Sequence, residues 1–200
     1  MQASHDKEVA YKLKIGQYTA QQVVFVDESS VNETTGQRRW GWSDIGSRTL
    51  LISTLHGQQR WTILPALSLD GYICSTIVPE GFNGNQFVDF IRDHLLPVMQ
   101  PFPAERSVVI MDNCAIHHSE AVQLLCLEAG VRLEFLPPYS PWLNPIEKTF
   151  SVLKAWLRAR EDELEVNMGQ LGLYIMQAGQ DAITPDIAKA EFQSCGWTVN

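Results

Sequence analysis

Two short runs are apolar at every position, Val23-Val24-Phe25-Val26 and Val108-Val109-Ile110-Met111, and each stops at an aspartate, Asp27 or Asp112. Such runs fit strands covered on both faces, in the middle of a sheet flanked by helices. Residues 60–69 and 72–78 flank Asp70-Gly71, a favoured two-residue turn, and predict an antiparallel hairpin. From Gln86 the period changes: Phe87, Phe90, Ile91, Leu95 and Val98 follow helical spacing behind a candidate N-cap at Asn83. Ser119 caps a further helix through Leu124, Leu125 and Leu127, which stops at Gly130. Val131-Arg132-Leu133-Glu134-Phe135 alternates, predicting a strand with one dry face and one wet face near the sheet's rim. Helices near 145–160, 170–183 and 186–194 follow, the last introduced by Thr184-Pro185. This order puts the hairpin on one side, the two buried strands in the centre and the alternating strand outside. The first twenty residues are polar and weakly patterned, so residues 1–21 read as a leader or truncated edge.

If the two buried strands are parallel neighbours, about 4.8 Å apart, Asp27 and Asp112 point into one small volume beyond their carboxyl ends. Open sheets collect ligands there. Two carboxylates that close repel, and one is driven neutral unless a cation lies between them. Oxygen donors of this kind suit Mg²⁺ or Mn²⁺. A third acid ends the segment Pro137-Pro138-Tyr139-Ser140-Pro141-Trp142-Leu143-Asn144-Pro145-Ile146-Glu147, whose prolines stiffen a loop. Asn144 is placed to cap the following helix with Pro145 at its first position, and Glu147 falls at the third. Two readings of Glu147 stand at this point: a third metal ligand, or the glutamate of a capping box that bonds back to the cap.

Composition narrows the class. The 200 residues are 45% apolar and 10% aromatic, enough for one sizeable core. Four cysteines without a C-x-x-C pair or a preceding signal peptide are expected to be reduced thiols inside a cell. No stretch approaches the roughly 18 consecutive apolar residues of a membrane helix, so membrane anchoring is not expected. With 15 basic and 23 acidic residues the net charge is −8, which argues against a general nucleic-acid coat. Residues 148–160 are the exception, carrying Lys148, Lys154, Arg158 and Arg160 and no acid. The V-D-E end of the first strand is shared with ATPase strands, but no G-x-x-x-x-G-K-[ST] occurs, so no nucleotide cofactor is expected. An aspartyl phosphatase would want a second aspartate two positions after Asp27, where Ser29 stands.

Asp27 in V-F-V-D-E-S, Asp112 in M-D-N-C-A-I-H-H and Glu147 in P-P-Y-S-P-W-L-N-P-I-E, with 34 residues between the last two acids, resemble the DDE catalytic domain of Tc/mariner-type transposases. The likeness covers residues 22–160 closely and residues 161–200, a C-terminal helical extension of the same domain, more loosely. It implies an α/β, ribonuclease-H-like fold, a five-stranded mixed sheet flanked by helices. It also implies metal-dependent cutting and joining of DNA with two ions, Mg²⁺ or Mn²⁺. By that carry-over Asp27 bridges both ions, Asp112 holds one and Glu147 the other. The implied partners are transposon ends and target DNA, with a homodimer or higher synaptic assembly in the full-length form, in the nucleus of a eukaryotic host. Such transposases carry paired helix-turn-helix units ahead of the first aspartate, whereas 26 residues precede Asp27, so end recognition is expected to need units outside this stretch. Position 142 commonly holds aspartate in that family and here holds tryptophan. The alternative function is a transposon-derived module that keeps the fold and serves as a non-catalytic binding or scaffold unit.

Several further residues have both a functional and a structural reading. His117 and His118 could position a phosphate or a water beside the metal ligands, or serve the start of the next helix. Asn113 could orient a metal-bound carboxylate or satisfy the turn. Arg38, Arg39, Trp40, Trp42 and Arg48 interleave phosphate-binding charge with base-stacking rings, as in a DNA-facing loop, or pack a long hairpin. Lys154 and Arg158 line up beneath Glu147, either to track DNA phosphates or to complement the helix dipole.

Overall fold

The computed structural model describes residues 2–32, 44–47, 60–160 and 170–199. The apolar runs form β1 (Val23–Val26) and β5 (Val108–Met111), with every residue buried. They pair in parallel, Val23 with Val108 through Val26 with Met111. The hairpin is β3 (Arg60–Ser68) and β4 (Gly71–Pro79), and β6 (Arg132–Phe135) pairs in parallel with the outer side of β5. Gly71 turns the hairpin with φ of +95°, and a Cβ there would stand 2.3 Å from the Ile183 carbonyl oxygen, so only glycine fits.

Among the described residues the sheet has six strands where five are expected. The extra strand, β2 (Ser29–Asn32), continues the line of β1: both pair antiparallel with the same edge of β3, through Val26↔Ala66 and Ser29↔Ile63. That register puts Asp27 opposite Pro65, which has no N–H to give a ladder. Pairing therefore lapses where the first acid sits, freeing Asp27 to turn away from the sheet.

Two cores cover the sheet. On one face, α2 (Gly84–Phe90), continued by a π-helical turn over Ile91–Leu95, and α3 (Glu120–Glu128) pack against Val24, Val26, Val109 and Met111. The capping box of Asn83 with Gln86 and the Ser119 cap are both present. On the other face lie α4 (Pro145–Ala159), α5 (Leu171–Ala182) and α6 (Pro185–Ser194), whose Thr184 cap accepts from the Ile187 N–H. The α4 stripe of Ile146, Phe150, Leu153 and Leu157 is fully enclosed, each side chain contributing about 1.5–3 kcal/mol of burial. Leu171, Ile175, Ala178, Ala182, Ala188 and Phe192 share this core. Among the described residues no helix is long and apolar enough to cross a membrane.

Two expectations are corrected. Residues 1–21, read as a leader or truncated edge, include α1 (Gln2–Ile15), and Tyr11 and Tyr18 are buried in the core. As a result the expected wet face of β6 is covered at Glu134 and stays exposed at Arg132. Glu134 is only 6% exposed and accepts from the Tyr18 hydroxyl at 2.8 Å, while its second oxygen pairs with Lys14. In α3 the buried positions are Val122 and Cys126, and Leu124 and Leu127 face outward.

Candidate active site

Because Val26 and Met111 are register partners, Asp27 and Asp112 leave adjacent strands at the same level and the same end. Local backbone amides orient both: the Glu28 N–H donates to Asp27 Oδ1 at 2.7 Å and the Cys114 N–H to Asp112 Oδ1 at 3.0 Å. The proline-rich loop starts beside them, its first residue, Leu136, donating its N–H to the Met111 carbonyl at 2.8 Å. It delivers the first turn of α4 to the same place. Asp27, Asp112 and Glu147 all line one cavity of about 460 Å³, together with Asn113, Cys114, Tyr139 and Asn144.

Asn144 departs from its expected role. Its side chain caps nothing in α4; it donates from Nδ2 to Asp27 Oδ2 at 2.7 Å, with both residues buried. No capping box forms with Glu147 either, which leaves that carboxylate on the cavity wall. Asn144 and Tyr139 are site residues that sequence reasoning missed. An Asn-Pro pair reads as a helix start whether or not its side chain does something else.

The electrostatics are those of crowded acids. Burial, then the charge of Glu147 and the smaller effect of Asp112, push Asp27 up to about 7, against the Glu28 N–H and His117. Glu147 is also raised, by burial and Asp112, with Lys154 opposing. Asp112 stays below the usual carboxylate range because His117 Nδ1 lies 2.6 Å from its Oδ1. Burial disfavours a charged His117, but its hydrogen bond to Asp112 and the nearby acids override that and raise the ring to about 10. Its Nε2 stands 3.9 Å from Glu28 Oε1, beyond hydrogen-bond distance, so that pair acts through charge alone.

His117 is buried behind Asp112, its ring tilted 31° to that of Phe87 with the centroids 4.5 Å apart. His118 is exposed, lies 3.9 Å from the Phe135 ring and bonds Asn113 Oδ1 at 2.7 Å, so Asn113 faces the cavity with its carbonyl engaged. Lys154 and Arg158 lie on α4, and Lys154 is near enough to lower Glu147. Arg38, Arg39, Trp40, Trp42 and Arg48 lie outside the described residues.

As they stand, no three acid, histidine or cysteine side chains among the described residues are close enough to share one ion. The donor set nevertheless fits a hard divalent cation. It is all oxygen, burial and the charge of Glu147 drive Asp27 toward neutrality, and Asn144 Oδ1 is buried at the cavity with no hydrogen-bond partner.

The family model for DDE superfamily endonucleases matches residues 22–165, a span that contains all three acids. No curated protein matches the chain. Among solved structures, a mariner Mos1 paired-end complex with Mg aligns with a TM-score of 0.58 at 14% identity, over 100% of this chain and 64% of that one. A pre-cleavage Mos1 transpososome aligns at 0.57 and 13%, over 98% and 63%. The catalytic domain of Mos1 mariner transposase aligns at 0.51 and 10%, over 99% and 94%. At such identities the likeness is one of fold: an α/β, ribonuclease-H-like mixed sheet flanked by helices. The chain spans less than two thirds of the Mos1 chains in the paired-end and pre-cleavage complexes.

Proposed function

The chain belongs to the DDE superfamily endonuclease family, and on that premise we propose that it is the catalytic domain of a Tc/mariner-type transposase that cuts and joins DNA with Asp27, Asp112 and Glu147. The observation that carries this reading is the convergence of three carboxylates, from two strand ends and one helix start, on one cavity. The reaction is in-line attack on a phosphodiester, by water in the first step and by the released 3′ hydroxyl on target DNA in the second. Asp27, Asp112 and Glu147 would hold two divalent ions, Mg²⁺ or Mn²⁺, which when bound activate the attacking oxygen and stabilise the leaving one.

The protein's part is to aim those ligands and to hold one of them, Asp112, ionised. His117 holds Asp112 deprotonated and fixes its rotamer. Asn144 ties the start of α4 to Asp27, so a shift of the loop moves two ligands together. Lys154 offsets the charge of Glu147 from one side. No protein nucleophile is required, since the attacking group is water or a DNA hydroxyl.

A calorimetric titration of the chain with Mn²⁺, beside Asp112→Ala, tests the reading. Saturable heat in the wild type, lost in the variant and accompanied by loss of Mn²⁺-dependent plasmid nicking, is the expected result. Equal nicking by both proteins would overturn the assignment of Asp112. A chain that binds no Mn²⁺, with or without DNA, would instead be the scaffold module.

A further inference from the structure

The segment 139–148 is the shared wall of two cavities. Glu147, Asn144 and Tyr139 face the carboxylate cavity, whereas Trp142, Leu143 and Lys148 face a larger one, about 780 Å³, which the end of α1 and residues 194–198 complete. The larger cavity has no carboxylate in its lining. It contains two indoles, Trp142 and Trp197, and two ammonium groups, Lys12 and Lys148. Lys148 Nζ rests on the Ser194 hydroxyl at 2.6 Å, and no carboxylate among the described residues lies within ion-pair distance of it. The exposed aromatic side chains among the described residues are two, Tyr139 at 95% and Trp142 at 51%, and both stand on this one loop. Prolines 137, 138 and 141 fix its path, and Tyr139 is held at a φ of +56°. Leaving a rigid aromatic in water gives the fold nothing, while every nucleobase offers it a flat face.

We propose that this loop is a nucleobase platform: Trp142 stacks an unpaired base adjacent to the scissile phosphate within the second cavity, and Lys148 takes a phosphate further along the strand. The proposal rests on the reading of the carboxylate cavity as a DNA-cutting site, and it adds the form of the substrate, a strand locally unstacked where it crosses the 139–148 ridge. The geometry suits it. Positions 139 and 142 are at most about 11 Å apart along the chain, so both rings stand within reach of the nucleotides around a single phosphate.

The test is fluorescence-anisotropy binding of a labelled single-stranded oligothymidylate to the whole chain, with a duplex of equal length as comparison. Stacking on one ring predicts that Trp142→Ala weakens single-strand binding by about 5- to 160-fold while Trp142→Phe keeps most of it. Lys148→Gln is expected to reduce the slope of log affinity against log salt by about 0.7. With 5-iodouracil in the strand, ultraviolet cross-links should map to the peptide containing Trp142. Unchanged affinity in Trp142→Ala, or cross-links confined to other peptides, would overturn the proposal. So would a change of oligomeric state with DNA binding intact, which would make the surface a contact between copies. Asp112→Ala keeps the two readings apart: it should abolish Mn²⁺-dependent cleavage and leave the stacking signals in place.

Discussion

Asp27 is the residue at which site and stability most directly oppose each other, and Asp27→Asn measures that opposition. Its carboxyl group moves from an ordinary 3.8 to about 7 in the fold. A shift of three units corresponds to about 4 kcal/mol. The sign follows from proton counting. Below pH 4 the group is protonated folded or unfolded and costs nothing. Between pH 4 and 7 the unfolded chain releases the proton and the folded one retains it, so stability falls as pH rises; above 7 the full cost is present. The amide removes that cost and keeps the local bonds. It can accept from the Glu28 N–H, and if Asn144 turns over, the unpartnered Oδ1 of Asn144 accepts from the new NH₂. In calorimetric melts without divalent ions, Asp27→Asn should exceed the wild type at pH 8 by about 8–16 °C, at about 2–4 °C per kcal/mol for a chain of this size, and match it near pH 4. Adding Mn²⁺ at pH 8 should raise the wild type by about 3 kcal/mol at a hundredfold excess over Kd and leave the variant where it was. A variant less stable than wild type at pH 8, or equal stabilisation of both by Mn²⁺, would refute the reasoning.

Further perturbations probe the supports of the site. His117→Gln removes the group that holds Asp112 low, so the acid limb of a nicking-rate profile should move to higher pH; an unmoved limb would separate His117 from the reaction. Asn144→Ala deletes a buried bond to a carboxylate and should lower apo stability at pH 8 by about 1.5–3 kcal/mol in urea titration. Glu134→Ala strips Tyr18 and Lys14 of their partner, costing about 1–3 kcal/mol, and should speed hydrogen exchange across Gln2–Ile15. Gly71→Ala forces a Cβ against the Ile183 carbonyl at positive φ and should cost about 3 kcal/mol or more in the same titration.

What the sequence reveals here depends on whether a pattern is local. Four consecutive apolar residues ending in aspartate mark β1 and β5, because the runs are short and rich in β-branched residues as buried strands are, and their parallel pairing then puts Asp27 beside Asp112. Glu147 is different. Asn-Pro-x-Glu has one meaning as a cap and another as a ligand, and only the turn of Asn144 toward Asp27, 117 positions away in sequence, separates them. Glu134 is illegible for the same reason: alternation marks its face as wet, and the cover comes from α1, whose own pattern is too weakly amphipathic to announce a buried side. One nonlocal signal was available. Pro65 inside an otherwise good strand marks a place where a neighbour must stop pairing, and that neighbour is the residue carrying the first acid.

The Pro65 gap and the Asn144 bond together explain how a fold can hold repelling charges in fixed positions without an ion present. A carboxylate at the end of a continuous ladder would be free to swing into solvent and relax its pKa. Asp27 has no such freedom: one oxygen is fixed by the Glu28 amide and the other by Asn144, at 8% exposure, while the strand resumes two residues later as β2. The repulsion that Asp27 feels from Glu147 is therefore built into the covalent path of the loop, because the same Asn144 that pins Asp27 begins the helix that carries Glu147. A cation entering this cavity meets ligands already oriented and already destabilised, by burial first and by one another second. Its binding free energy is correspondingly enlarged by the strain it relieves, which is why the stability gained by Asp27→Asn and the ion-induced stabilisation lost by it should come from the same few kilocalories.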